Sequence, residues 1–432
     1  MKKYLSATIL ALALLSISAS GWCQTPTLWQ DPKTGQVFTK PGEGRVPVDL
    51  STLTAPQSSP AQAASAPAGD YSSQAFKDAV TNAIGEKKAN TYPKIHIGGL
   101  MYGEYYYNLD KENTTNDNGH KDAKNAFVLN RGYLNVFADL TPQIGVRITS
   151  DLNRVGGITD GGANVGNTNG DYEFRLKYYY VDFHKFLPFY QGMEVKMGQF
   201  QTPWLDYEEG LWEFRVVDNM MIEKEGYINA GDLGVDFRGP LPKGYGSWQV
   251  SVDNGEGYHA DETNKYKAVE ARLTVNPIPQ IDALKQLQFS GYAKISKQDF
   301  LHDNDRYIAF AGYKYHDDAF IAGEYDWTRG TDPAKLTHPG KNNINGQGFS
   351  AMAWYRMPFW KPIRILGRFD KFRHDEDAPN TTVTRWIYGV AYDVNKNVMF
   401  VVDNDRATTG AALKKAGDLD NNFVKADLQV QF

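Results

Sequence analysis

A single cysteine in 432 residues leaves no disulfide framework to infer. The eight histidines include no pair at helical metal-ligand spacing, so no metal and no other cofactor is expected. No Gly-x-Ser-x-Gly elbow and no Cys-x-x-Cys-His haem site occurs, which argues against a hydrolase or a c-type electron carrier. Basic residues have no excess: 46 Lys and Arg stand against 51 Asp and Glu, a net charge of −5, which argues against nucleic acid as a partner. Past the first twenty or so residues no run approaches the ~18 apolar residues that a spanning helix needs, so a bundle of membrane helices is excluded. What the chain does hold is β chemistry. With 26 Tyr, 22 Phe and 9 Trp it is aromatic almost to its end, yet its mean hydropathy is −0.51.

The N-terminus reads as an export signal. Lys2 and Lys3 precede the apolar run 4–17, and Ser18, Ala19, Ser20 and Gly21 supply the small residues of a cleavage region. We assign 1–23 to the signal peptide, with cleavage between Ala19 and Gln24. Lipidation of Cys23 is the competing reading, opposed by bulky Trp22. Residues 24–92 read as a periplasmic extension. Within it, 27–50 sets turn residues around single aromatics, 51–69 is an Ala/Pro/Ser linker, and 71–88 places Phe76, Val80 and Ile84 at helical spacing.

From Lys94 onward one pattern repeats. Segments of roughly ten residues alternate apolar with polar, as in Val424, Ala426, Leu428, Val430 and Phe432 against Lys425, Asp427, Gln429 and Gln431. Period two means strands with one greasy and one wet face. About sixteen such segments lie between 94 and 432, joined by short turns alternating with long polar connections such as 108–124, 153–170 and 329–345. A soluble β-sandwich would alternate too, but the signal and the loop asymmetry favour an all-β transmembrane up-and-down barrel over 93–432, both termini periplasmic. Aromatic clusters at Tyr105–Tyr107, Tyr178–Tyr180, Phe186, Phe189, Tyr190, Trp354, Tyr355, Phe359 and Trp360 are candidates for interfacial girdles. In 173–183, Glu173, Arg175 and Lys177 share parity with Tyr179, Val181 and Phe183, a conflict that a β-bulge resolves.

Several segments resemble the phosphate-selective porin O and P family of outer-membrane porins. In order they are Asn130-Arg131-Gly132-Tyr133-Leu134-Asn135-Val136, Tyr180-Val181-Asp182-Phe183, Val195 through Pro203 (VKMGQFQTP), Asp232-Leu233-Gly234-Val235 and Val252-Asp253-Asn254-Gly255-Glu256-Gly257. The resemblance covers roughly 94–275. It implies a sixteen-stranded homotrimeric pore in the outer membrane of a Gram-negative cell. Terminal Phe432 likewise resembles the signal read by the barrel-assembly machinery.

In such a barrel the third external connection, 201–230, is the candidate constriction. It carries Asp206, Glu208, Glu209, Glu213, Asp218, Glu223 and Glu225 against Arg215 and Lys224, a field that attracts cations if it lines the pore. Alternation points Arg131, Arg147, Lys196, Arg238, Arg272, Arg364, Arg368 and Arg385 inward as a lumen wall, together with a similar number of carboxylates. Each arginine has a plainer reading as a cross-strand ion pair, for example Arg368 with Asp370. Balanced wall charges depart from a phosphate-selective ladder. The sequence therefore favours a porin passing small hydrophilic solutes and ions with weak selectivity, embedded in outer-membrane lipid, and not an enzyme. An anion- or phosphate-selective porin, and a sheath for a periplasmic or electron-transfer partner gripped through 25–92, remain the alternatives.

Overall fold

The computed structural model describes residues 29–30, 37–38, 46–47, 92–109, 125–154, 172–184, 190–330, 333, 343–416 and 420–432. The expected signal, the Ala/Pro/Ser linker, the 71–88 helix, Phe186 and Phe189 lie outside them, as does most of each long connection named above. The chain divides into two units, 1–89 and 90–432. In the first, β1 (Trp29–Gln30), β2 (Val37–Phe38) and β3 (Val46–Pro47) pair in the order β2-β1-β3.

The second unit is a closed antiparallel barrel of sixteen strands. In order these are β4 (Lys94–Asn108), β5 (Asn125–Asp139), β6 (Ile144–Arg154), β7 (Tyr172–His184), β8 (Glu194–Gln201), β9 (Gly231–Pro240), β10 (Gly246–Asp253) and β11 (Ala268–Val275). There follow β12 (Leu287–Ile295), β13 (Asn304–Tyr315), β14 (Ala319–Gly330), β15 (Ile344–Arg356), β16 (Ile363–Arg373), β17 (Thr382–Asn395), β18 (Val398–Thr409) and β19 (Asn421–Gln431). Every strand pairs with its sequence neighbours, and β19 returns to β4. Phe432 finishes the seam: its N–H donates to Gly99 O at 3.0 Å and its carbonyl accepts from Gly99 N at 2.9 Å. A Cβ on Gly99 would stand 2.4 Å from the Phe432 ring, so glycine is what lets the terminal ring lie on the sheet. Closure leaves no edge of unpaired peptide groups, the condition for β-structure in hydrocarbon.

The burial pattern is inverted relative to a soluble protein. On β14, Glu324 and Asp326 are 1% and 0% exposed, while Ile321 on the other face is 61% exposed. Along β18, Phe400 and Val402 point out and Asp403 and Asp405 point in. Charged side chains inside and apolar side chains outside exclude the sandwich reading.

Among the described residues three register shifts interrupt the barrel; one sits beside the β17–β18 turn at Asp393/Asn395, and the other two lie on β4 to β7. Between β6 and β7 the pairing passes from Thr149 opposite Tyr178 to Ser150 opposite Leu176, so Lys177 is the extra residue. Lys177 and Tyr178 both turn inward, which resolves the parity conflict as a bulge. Between β4 and β5 the pairing passes from Tyr102 opposite Arg131 to Gly103 opposite Leu129. The girdle assignment needs correction at Tyr178, Tyr180 and Trp354, which are buried inside the barrel; their neighbours Tyr179 and Tyr355 carry the outward aromatic surface, with Phe359 and Trp360. One-residue alternation forces this, because outside a bulge adjacent residues on a strand face opposite ways.

Candidate functional site

The connection between β8 and β9 does not stand outside the barrel. It leaves β8 through a neck in which Thr202 Oγ1 donates to Asn229 O at 2.6 Å and Thr202 N to Ala230 O at 3.3 Å. It then forms helix α1 (Leu205–Trp212) and the single turn α2 (Met221–Lys224). The helix ends at Glu213, whose φ of 65° is left-handed and whose N–H donates to Glu209 O.

Its apolar side chains are the reason it turns inward. Trp204, Leu205, Trp212, Phe214, Met220 and Ile222 are 0% exposed, packed on inward apolar residues of β12 to β18 such as Tyr292, Phe310, Met352 and Leu366. The Trp204 ring lies 5.8 Å from both Tyr292 and Phe310. One side of the lumen is thus a hydrophobic core inside a polar barrel. Burying such a set in water-filled surroundings stabilises the folded-in segment by roughly 1.5–3 kcal/mol for each large side chain.

Charge then fixes its position. Arg364 Nη1 donates to Glu213 Oε2 at 2.8 Å, and Lys314 Nζ to Glu213 Oε1 at 2.5 Å. Arg385 pairs with Asp218 at 3.2 Å and with Asp405 at 2.9 Å. Backbone carbonyls of the segment take four more wall cations: Arg272 Nε donates to Pro203 O at 2.9 Å, Arg368 Nη2 to Asn219 O at 2.8 Å, Arg306 Nε to Tyr227 O at 3.1 Å, and Lys425, which also pairs with Asp403, to Val217 O. Arg368 also holds Asp370 at 2.9 Å. Against burial, which alone would raise it, Lys224, Arg385 and Lys425 hold the Asp218 carboxyl well below its usual range.

The acidic residues therefore divide by role. Glu208 is fully buried and accepts from Trp204 Nε1 at 3.0 Å; burial, then the nearby Glu324, pushes its carboxyl well above the usual range. Glu213 and Asp218 are taken up by wall cations. Asp206 stays exposed. Glu209 and Glu223 share Arg215, at 2.6 and 2.8 Å. Burial would raise the Glu209 carboxyl, but Arg215 first, then Arg131 and Lys177, bring it below its usual range, so this face of the segment looks across at β5 and β7.

Wall residues on that far side are held differently. Arg147 donates to Thr149 Oγ1 at 3.0 Å and Asn135 Oδ1 at 3.2 Å, and Lys196 to Gln201 Oε1 at 2.9 Å. Arg238 pairs with Glu194 near one rim. Arg131 reaches Tyr133 Oη at 2.6 Å. The connection after β10 also folds over this side: Arg175 lies 3.0 Å from His259 Nδ1 and over the Tyr258 ring. Asp232 knots that connection, since its Oδ2 accepts from the N–H groups of Gly255 and Gly257, both at 2.9 Å and both at positive φ. Two of the quoted sequence motifs thus meet in one turn. Sequence reasoning passed over Tyr133, Arg306 and Lys314, although inward parity alone marks all three.

Neither a protein-family model nor a curated protein matches the chain. Solved structures do. OmpF of Salmonella typhi is 12% identical over 79% of this chain and 98% of its own, with a TM-score of 0.53. An anion-selective porin from Comamonas acidovorans is 12% identical over 79% and 100%, TM-score 0.54. A loop-deleted OmpT, an outer membrane protein of Vibrio cholerae, is 8% identical over 79% and 100%, TM-score 0.52. Identities this low establish likeness of fold, and the fold of residues 90–432 is that of a sixteen-stranded porin-type barrel.

Proposed function

We propose that the protein is an outer-membrane porin, a water-filled channel for small hydrophilic solutes and ions, and that it has no catalytic activity. One observation carries this reading: a closed barrel with its carboxylates and guanidinium groups inside, its apolar side chains outside, and a segment whose apolar core packs mainly on the β12 to β18 side of the interior. In this reading the segment over 202–230 is the constriction. Glu213 and Asp218 anchor it, Glu208 is a buried hydrogen-bonding group, and Asp206, Glu209 and Arg215 border the passage. Arg131, Arg147, Lys196 and Arg238 form the facing wall, while Arg272, Arg364, Arg368 and Arg385 form the wall that holds the segment.

The same reading takes 1–23 as an export signal, 24–92 as a periplasmic extension, Phe432 as the end that the barrel-assembly machinery engages, and a homotrimer as the working assembly. Phosphate selectivity is not favoured, because most wall cations of the anchored side already serve carboxylates or carbonyls. Detergent-purified protein added to a planar bilayer should give stepwise ohmic currents in KCl. A full-length, folded preparation that inserts and conducts nothing overturns the proposal.

A further inference from the structure

The two inner-wall bulges bring one group of side chains into an arrangement that the anchoring of the segment does not use. Arg131 Nη1 donates to Tyr133 Oη at 2.6 Å, and Lys177 Nζ donates to the same oxygen at 2.5 Å. A phenol oxygen has two lone pairs and one proton. Both lone pairs are occupied here, so the proton must be directed at a third partner, and among the described residues the hydroxyl donates to none. Arg131 and Lys177 also take part in no ion pair among the described residues, in contrast to their neighbours Arg175, paired with Asp151 at 3.0 Å, and Arg215, paired with Glu209 and Glu223.

We infer that Arg131, Tyr133 and Lys177 form a lumenal subsite for a monovalent oxyanion, the carboxylate of a permeating solute. This rests on the reading of the barrel as an open channel. The charge balance selects the class of ligand. With Lys177 protonated, four cations (Arg131, Arg175, Lys177 and Arg215) face three carboxylates (Asp151, Glu209 and Glu223), which leaves one positive charge to be met. A monoanion meets it; a phosphate dianion overshoots it in view of Glu209 and Glu223 across the passage. A carboxylate offers two acceptor oxygens in one plane, enough for the tyrosine hydroxyl and one charged donor at once. The Tyr133 and Tyr258 rings, over which Lys177 lies at 4.7 and 5.6 Å, flank the position with π-faces suited to an aromatic acid.

Benzoate is the probe, measured in two ways on the detergent-purified full-length protein: isothermal titration, and reduction of the chloride current in a planar bilayer. Wild type should bind benzoate more tightly than sulfate at pH 6, where benzoate is a monoanion, sulfate a dianion and Lys177 is protonated. Tyr133→Phe keeps the ring and loses the proton donor, and should weaken benzoate binding roughly ten-fold. Lys177→Gln and Arg131→Gln should weaken it at least as much. Benzoate bound equally by wild type and all three variants overturns the subsite, as does sulfate binding more tightly than benzoate. A conducting wild type with no benzoate heat or block overturns the subsite alone. Benzoate heat without any conductance overturns the channel reading instead.

Discussion

The two sides of the lumen use the same residue types for opposite ends. Along β12 to β19, Arg272, Arg306, Arg364, Arg368, Arg385 and Lys425 all end on carbonyls or carboxylates of the folded-in segment, or on acids beside it. Along β5 to β8, Arg131, Arg147, Lys177 and Lys196 end on a phenol, amides and hydroxyls. A guanidinium beside a carboxylate is a fastener, because leaving either partner alone in a low-dielectric site is costly. A guanidinium beside neutral acceptors keeps its charge uncompensated and available to a passing solute. The neighbour, more than the arginine itself, decides which.

The comparison breaks most severely at the apolar seam. Trp204→Ala, which empties space between α1 and the wall of β12 and β13, should cost about 3–5 kcal/mol in urea unfolding followed by heat-modifiable gel mobility. An equally large truncation on the outward face, Phe400→Ala, should cost clearly less in detergent, since detergent refills the gap. Next comes Arg385→Ala, which removes the cation shared by Asp218 and Asp405 and leaves them to Lys224 and Lys425; it should destabilise by about 2 kcal/mol in the same assay, with noisier single-channel current as the segment loosens. Arg238→Ala, on the partly exposed rim pair with Glu194, should stay within about 1 kcal/mol and add no current noise of the kind a loosened segment gives.

Titration sharpens the contrast within the segment itself. Asp218 has a depressed carboxyl, so its stabilising contribution is complete above the ordinary carboxylate range and is lost only as pH falls through the lower folded value. Glu208 has the opposite sign: its folded carboxyl holds its proton more strongly than the unfolded one, so its contribution falls as pH rises above about 4.5. Glu208→Gln should therefore be nearly neutral at acid pH and become relatively stabilising toward alkaline pH, read as a flatter pH profile of the urea midpoint. A profile identical to wild type would remove the buried, protonated role assigned to Glu208.

Much of the barrel was legible from local pattern. Strand positions follow from period-two alternation that needs no knowledge of partners, and the Lys177 bulge follows from a parity conflict within 173–183. The Arg368–Asp370 contact was legible for the same reason, since the two lie on one face of β16. The mate of Arg385 was not, because Asp218 is 167 residues away and reaches it only once the segment has folded inside. Inward Tyr292, Phe310, Met352 and Leu366 were the overlooked signal, being apolar residues on a face otherwise wet, where a packing partner was required.

Local pattern alone settles that the chain from Lys94 onward forms amphipathic strands, and composition alone that the acidic connection 201–230 also carries two Trp and two Met. Alternation and composition are properties of neighbouring residues, so they survive in a one-dimensional reading. No one-dimensional reading holds that this connection lies against β12 to β19, that Glu213 and Asp218 are taken up by the wall there, or that Arg131, Arg147 and Lys196 end on neutral acceptors. Those outcomes depend on which strands stand opposite each other across a closed ring, and ring closure is a relation between residues hundreds of positions apart.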